Sequence, residues 1–265
     1  MKTKYSTLLL LLFLSVPFLS KAQTSAVSAG EGDNMVKFNV LPLFGGKFAF
    51  EYERRLTDRI SVGASLSLRP EQGVPFRSVV ENIVDDEDVN DLLNDLKSSN
   101  VSFTPEVRFY MADRGTFRGL YLAPFLKYTS YGASMPYDFE VDLEYEGTEI
   151  YQRTETIPLD ANLSSFTAGV SVGINFQVSK NLYLDWRIIG PGFGIASGDV
   201  SGDMTLSAEE QLALRESLEE FKTDLNDLPL SIKIDYDVRP DGASIDVKKS
   251  PWANIRSGLS IAYRF

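Results

Sequence analysis

The chain contains no cysteine and no histidine. The first absence excludes a disulfide-stapled domain and a lipidated amino terminus. The second removes Ser-His-Asp and Cys-His nucleophile systems and His-ligated zinc. Neither a G-x-G-x-x-G nor a G-x-x-x-x-G-K-[ST] phosphate loop occurs. No spacing singles out a carboxylate pair or a Ser-Lys arrangement, so the chain reads as non-enzymatic. Long hydrophobic runs are also missing. The unbroken run Leu8–Leu14 has seven residues, against the roughly 20 that a spanning helix needs.

That run has another reading. Lys2 and Lys4 precede it, and Ser20-Lys21-Ala22 places small residues three and one before Gln23. This is the layout of a secretory signal peptide over 1–22, followed by a short leader, 23–34. With no helical span after it, a membrane-resident chain must cross as a closed sheet, since only helices and closed barrels satisfy every backbone group in lipid.

Period-two alternation supplies the strands. Val36, Phe38 and Val40 alternate with Lys37, Asn39 and Leu41. After Gly45-Gly46, Phe48, Phe50 and Tyr52 oppose Lys47, Ala49, Glu51 and Glu53. Ile60 to Leu68 oppose Ser61, Gly63, Ser65, Ser67 and Arg69. Val101, Phe103, Val107 and Phe109 oppose Ser102, Thr104, Glu106, Arg108 and Tyr110. Leu120 to Tyr128 oppose Tyr121, Ala123, Phe125 and Lys127. Phe166 to Phe176 oppose Ser165, Thr167, Gly169, Ser171, Gly173 and Asn175. Leu182, Leu184, Trp186 and Ile188 oppose Tyr183, Asp185, Arg187 and Ile189.

The eighth strand ends the chain: Leu259, Ile261, Tyr263 and Phe265 alternate with Ser260, Ala262 and Arg264. An alternating strand ending in an aromatic residue is how bacterial outer-membrane barrels commonly finish, and there it serves as an assembly signal. Short connections (56–59, 112–118, 177–180) alternate with long segments (about 70–100, 132–162 and 194–251), as in barrels with short periplasmic turns and long external loops. Only the first external loop, at Gly45-Gly46, is short. The expected architecture is all-β: an eight-stranded antiparallel up-and-down transmembrane barrel over 35–265, with helices and hairpins in its loops.

Across 35–265 the chain resembles the small outer-membrane barrels of the OmpA-transmembrane and OmpX type, and more closely a Gram-negative barrel family with no established activity. Pro105-Glu-Val-Arg-Phe-Tyr110, Gly119-Leu-Tyr-Leu-Ala-Pro-Phe-Leu-Lys-Tyr128 and Gly169-Val-Ser-Val-Gly-Ile174 carry the resemblance. It implies a bacterial outer-membrane location, with membrane lipid and the outer-membrane assembly machinery as partners. The large acidic loops depart from the compact loops of the simplest members.

The net charge is −11, and 29 of the 37 acids but only 9 of the 26 bases lie in the three long segments. The faces opposite the apolar sets carry Glu51, Glu53, Arg69, Glu106, Arg108, Lys127, Asp185, Arg187 and Arg256, together with Lys37, Lys47, Arg55 and Arg264. An eight-stranded barrel is just wide enough for side chains to fill it. Opposite charges confined there should pair, because an isolated buried charge is costly. That favours a structural plug; the alternative is a narrow channel or small-ligand conduit.

In the last long segment Ser207-Ala-Glu-Glu210 has the form of a capping box. Leu214, Leu218, Phe221 and Leu225 follow at helical spacing and need a docking partner, either another loop or an external protein or polysaccharide; nothing points to nucleic acid. Val80, Ile83, Val84, Val89, Leu92, Leu93 and Leu96 suggest helical turns in the segment 70–100. Asp138–Tyr145 and Leu230–Tyr236 alternate as hairpin extensions would. Asp199, Ser201, Asp203, Thr205 and Glu210 resemble an EF-hand calcium loop, but Met204 stands where the sharp turn requires glycine. No cofactor is expected otherwise.

Overall fold

The computed structural model describes residues 32–75, 94–111, 115–145, 148–227 and 233–265, with the side chains of 142–145, 148–152 and 224–227 left aside. The expected signal peptide, nearly all of the leader, and Val80 to Leu93 lie outside the described residues.

Among the described residues, nine strands form one antiparallel sheet: β1 (Asn34–Asn39), β2 (Phe48–Arg55), β3 (Ile60–Gly73), β4 (Lys97–Tyr110), β5 (Gly119–Tyr145), β6 (Thr148–Gln177), β7 (Leu182–Asp203), β8 (Ile234–Arg239) and β9 (Gly242–Arg264). Each of β1 to β7 pairs with the next, and β7 pairs with β9. β9 then returns to β1 from Met35↔Arg264 to Asn39↔Ser260, which closes the sheet into a ring. Reciprocal backbone hydrogen bonds between Asn34 and Phe265, 3.1 and 2.9 Å, extend that seam to the last residue.

The alternation in the sequence becomes two faces of one wall. Phe50, Leu66, Phe166, Trp186, Ile195 and Ile261 are exposed outside, while Glu53, Ser61, Arg108, Ser171, Asp185 and Arg264 are buried inside. Small residues on the inner face make room for large neighbours. A Cβ on Gly173 would stand 2.3 Å from the Tyr121 hydroxyl, and one on Gly169 would stand 2.7 Å from Cζ of Phe125.

The alternation at Asp138–Tyr145 and toward Tyr236 does mark strands that extend beyond the expected spans: β5 and β6 run on through 132–162 as one hairpin, paired from Gly119↔Asn175 to Tyr145↔Thr148. Within 194–251, β8 pairs with the start of β9, from Ile234↔Val247 to Arg239↔Gly242, a ninth strand in the sheet. Two expectations need correction. Leu41 does not continue β1. Pro42 enters a 3-10 helix, Leu41–Gly45, that ends at Gly46 with φ 68°. Ile189 was placed on the inner face but is exposed on the outer one. The register of β7 against β9 shifts between Arg187 and Gly190, and such an extra residue turns every later side chain over. Gly190 and Gly192 then take the inner positions.

Helix α1 (Ala208–Asp227) packs against the strands that extend from the end of the ring away from the termini. It begins as the sequence indicated: the Ser207 backbone N–H donates to Glu210 (2.7 Å), and the Glu210 N–H donates to the Ser207 hydroxyl (3.2 Å). Leu214 and Leu218 pack with Leu206, Phe139, Val141, Ile157, Ile234, Val238, Ala243 and Ile245 in a cluster that belongs to the long hairpin, β8 and the start of β9. The described residues of the acidic segments 132–162 and 194–251 therefore form a cap with its own core.

Candidate functional site

Eight inward charges form one layer across the ring. The acids are Glu51 and Glu53 of β2, Glu106 of β4 and Asp185 of β7; the bases are Lys37 of β1, Arg108 of β4, Arg187 of β7 and Arg256 of β9. Period two selects them, since each lies on the face opposite its strand's large apolar residues.

Lys37 Nζ lies 2.5 Å from both Glu53 and Asp185. Arg108 reaches four carboxylates: Asp185 at 2.5 Å, Glu106 at 2.6 Å, Glu51 at 3.1 Å and Glu53 at 3.2 Å. Arg187 holds Glu51 through two hydrogen bonds and approaches Glu106 at 3.3 Å. Arg256 completes the layer at 3.0 Å from Glu106. Uncharged groups fill the remaining positions. The Tyr110 hydroxyl donates to Glu53 (2.7 Å), the Tyr121 hydroxyl donates to Asp185 (2.8 Å), and the Ser61 hydroxyl donates to Glu53. The Arg108 guanidinium also lies 4.4 Å from the centre of the Tyr121 ring.

Four acids against four bases make the layer neutral, with every side chain more than nine-tenths buried. A balanced, cross-linked layer is the arrangement in which buried charge is tolerable. It links β1, β2, β4, β7 and β9 through the lumen and gives each of its eight charges an opposite partner.

Five of the expected lumen charges, Arg69, Lys127, Lys47, Arg55 and Arg264, stand outside this layer. Arg69 donates to the backbone carbonyls of Gly45, Ser98 and Gly73 and to the Ser98 hydroxyl, so it braces the far rim instead of joining the carboxylates. Lys127 has no carboxylate partner among the described residues; its charged neighbours are Lys47 and Arg256. Arg55, also placed inside, pairs with Asp33 at the terminal end.

Below the charged layer, toward the termini, the lumen ends in a floor: Met35, Tyr110, Phe117, Tyr121, Ala123, Tyr183 and Ala262. Phe117 lies in the turn before β5 with φ 71° and is wholly buried. Its ring meets Tyr110 edge-on at 6.3 Å, and the Arg264 guanidinium stands 5.1 Å from it. Sequence reading missed Phe117, which sits in what looks like an ordinary Gly-Thr-Phe turn. The available signal was a large aromatic beside Gly115 in a connection otherwise built of polar and small residues.

At the chain end Ile261, Tyr263 and Phe265 face outward in line, Tyr263 and Phe265 with rings stacked at 6.5 Å. Leu259 is partly buried, and its N–H donates to the Asn39 side chain. In the cap, Leu214 and Leu218 are buried but Phe221 is exposed, and the Leu225 side chain lies outside the described residues. The stripe that docks is thus Leu206, Leu214 and Leu218, with Phe221 turned to the surface.

The calcium-like residues do not converge. Asp199, Ser201 and Asp203 lie on β7, which holds alternate residues in an extended line, about 7 Å apart by strand rise. Thr205 follows the strand end. Glu210 is engaged by Ser207 and by Arg153 at 2.5 Å. Hydrogen bonding from the Ser207 backbone, with the Arg153 charge, holds its carboxyl below its ordinary range despite partial desolvation. Among the described residues no group of three or more acids is placed to hold a metal ion.

No protein-family model matches the chain, and no curated protein matches it. Among solved structures it is similar to the crystal structure of the N-terminal β-barrel domain of Pseudomonas aeruginosa OprF, with 8% sequence identity and a TM-score of 0.27 over 89% of this chain and 100% of that one. The closed ring described above rests on this chain's own strand pairings.

Proposed function

We propose that this chain is a non-enzymatic protein of the bacterial outer membrane: a barrel with a plugged lumen that carries a folded acidic cap for surface binding or envelope structure. The observation that carries the reading is the inverted distribution of its side chains. Charged residues are buried inside the ring, while Phe50, Phe166, Trp186, Phe193, Ile255 and Ile261 are exposed around it. Exposed apolar surface of that extent on a chain in water is an aggregation liability. Around a barrel in lipid it is the expected exterior.

The plug reading is supported by the neutral layer of eight charges and the aromatic floor beneath it. A conduit would require the layer to open, which exposes several buried charges at once. The cap supplies the binding role. Its helix presents Leu212 and Phe221 exposed beside Glu216, Glu219 and Glu220, a mixed apolar and acidic surface suited to a basic protein partner or a cation-bridged polysaccharide. Fractionation tests the reading: the mature chain should sediment with outer membranes and migrate faster on gels unboiled than boiled. Recovery of the chain as a soluble periplasmic protein without detergent would overturn it.

A further inference from the structure

Between the charged layer and the cap lies a cavity of about 480 Å³, within the ~300–1,000 Å³ range of small-molecule sites. Its wall is chemically uneven. Tyr131 of β5 and Trp252 of β9 form a tilted aromatic pair, ring centres 5.7 Å apart, and both line the cavity with Asn100 and Arg69. Asp199 is the one acid on this lining among the described residues, and it lies exposed on the outward set of β7.

Toward the charged layer the same strands carry a second feature. Inward positions along β5 and β9 below Tyr131 and Trp252 are Thr129 and Lys127, and Asn254 and Arg256. Lys47 is under repulsion from Arg69 and Arg256, and Lys127 from Lys47 and Arg256. Four cations are therefore gathered here. The carboxylate in ion-pair contact with this group is Glu106, 3.0 Å from Arg256, and Arg108 and Arg187 already share it. Lys47 and Lys127 have no carboxylate partner among the described residues.

The buried polar atoms point the same way. Arg256 Nη1 and Thr129 Oγ1, on side chains more than nine-tenths buried, make no hydrogen bond among the described residues; nor do the side-chain oxygens of Asn100 and Asn254. Like charges held together with unused donors cost stability unless an opposite charge joins them. Arg256 is balanced within the layer below by Glu106; Lys47 and Lys127, above it, meet no carboxylate among the described residues.

We propose that the outer half of the lumen is a binding site for an acidic sugar. Its ring lies against Tyr131 and Trp252 in the cavity, its hydroxyls donate to the Asn100 oxygen on the same lining, and its carboxylate or phosphate points down the lumen toward Lys47, Lys127 and Arg256, which stand on the inner wall below the cavity. The aromatic pair offers a flat apolar face and the amide offers hydrogen bonds, the two things a sugar ring needs; the cations select the charged sugar over the neutral one. The site goes beyond the envelope role above, since a plug requires no ligand.

The test uses the full mature protein in detergent, with Trp186→Phe leaving Trp252 as the sole tryptophan, and heat-modifiable migration as a separate check that the ring is closed. Glucuronate and glucose 6-phosphate should change Trp252 fluorescence saturably and raise the temperature at which the fast-migrating form is lost. Glucose should do neither. Binding should weaken at least tenfold in the Lys47→Met/Lys127→Met variant. That variant, without ligand, should keep the fast-migrating form to a higher temperature than the parent. Competition by a glucuronate polymer would identify a surface polysaccharide as the source, and binding of the monomer alone a free solute. Equal responses to glucose and glucuronate in the parent protein, or unchanged glucuronate affinity in the closed double variant, would overturn the proposal while leaving the barrel reading intact.

Discussion

Arg187 on β7 grips Glu51 on β2 across the ring, Nη1 to Oε1 at 3.0 Å and Nη2 to Oε2 at 2.9 Å. The two strands are not neighbours in the sheet, so this paired contact is a strut through the lumen. Parallel guanidinium–carboxylate bonds fix geometry as well as charge. Losing one partner leaves the other buried and unpaired. Glu51→Gln or Arg187→Met should each destabilise the closed form by about 3–5 kcal/mol, read as a lower temperature for loss of the fast-migrating band. The double variant Glu51→Met/Arg187→Met should recover part of that loss. Losses of Glu51→Met and Arg187→Met that simply add in the double variant would show that the pair is not coupled.

The same layer predicts the electrical behaviour. Because four acids and four bases are linked through the lumen above an aromatic floor, planar bilayers containing the wild-type protein should show little or no steady conductance. Replacing Phe117 by alanine, which leaves every group of the charged layer in place, should leave conductance low, because the layer is the main seal. A large, stable conductance in the wild type would favour the conduit reading.

Within the cap, burial separates residues that sequence periodicity grouped together. Leu214→Ala and Leu218→Ala should each cost the cap about 2–5 kcal/mol through lost packing, seen as faster hydrogen exchange along α1. Phe221→Ala should be close to neutral for exchange but should weaken partner binding if the exposed face is the docking surface. A Phe221→Ala effect on exchange as large as that of Leu214→Ala would place Phe221 in the core instead.

The capping box gives the cap a pH dependence of defined sign. Glu210's carboxyl is held below its ordinary value of 4.5, so the folded state favours the ionised form. Its contribution is present above that value and is lost as pH falls through the lower folded one. Protection of the first turn of α1 should therefore decline below about pH 4, and Glu210→Gln should flatten the decline. Ser207→Ala should cost about 1 kcal/mol of helix stability at neutral pH. A steep decline that persists unchanged in Glu210→Gln would assign it to other carboxylates.

Strand alternation was legible because it is local: Phe48 to Tyr52 and Ile60 to Leu68 announce their faces from spacing alone. The same spacing placed Glu51, Glu53, Glu106, Arg108, Asp185 and Arg187 on the inner wall. Long-range register was not legible. Nothing near Ile189 announces the bulge that turns it outward, because the bulge exists only in the pairing of β7 with its neighbours β6 and β9. Arg69 shares its strand's parity with the inner set, yet it sits beyond the layer, where backbone carbonyls are its nearest acceptors. Phe117 depends on a turn conformation, whereas β8 was legible in part from the alternation that ends at Tyr236. The calcium-like spacing failed for a simpler reason: oxygen ligands at alternate positions converge only around a turn, and β7 is straight through Asp203.

The inverted exterior is tested most directly by the two tryptophans, one on each face of the wall. Trp186 is exposed outside and Trp252 lines the cavity within. In bilayers with brominated acyl chains, the single-tryptophan variant Trp252→Phe should show strong quenching of Trp186. The variant Trp186→Phe should leave Trp252 unquenched by those lipids. Quenching of Trp252 with Trp186 spared, or quenching of neither in reconstituted protein, would contradict a barrel that turns its apolar face to lipid.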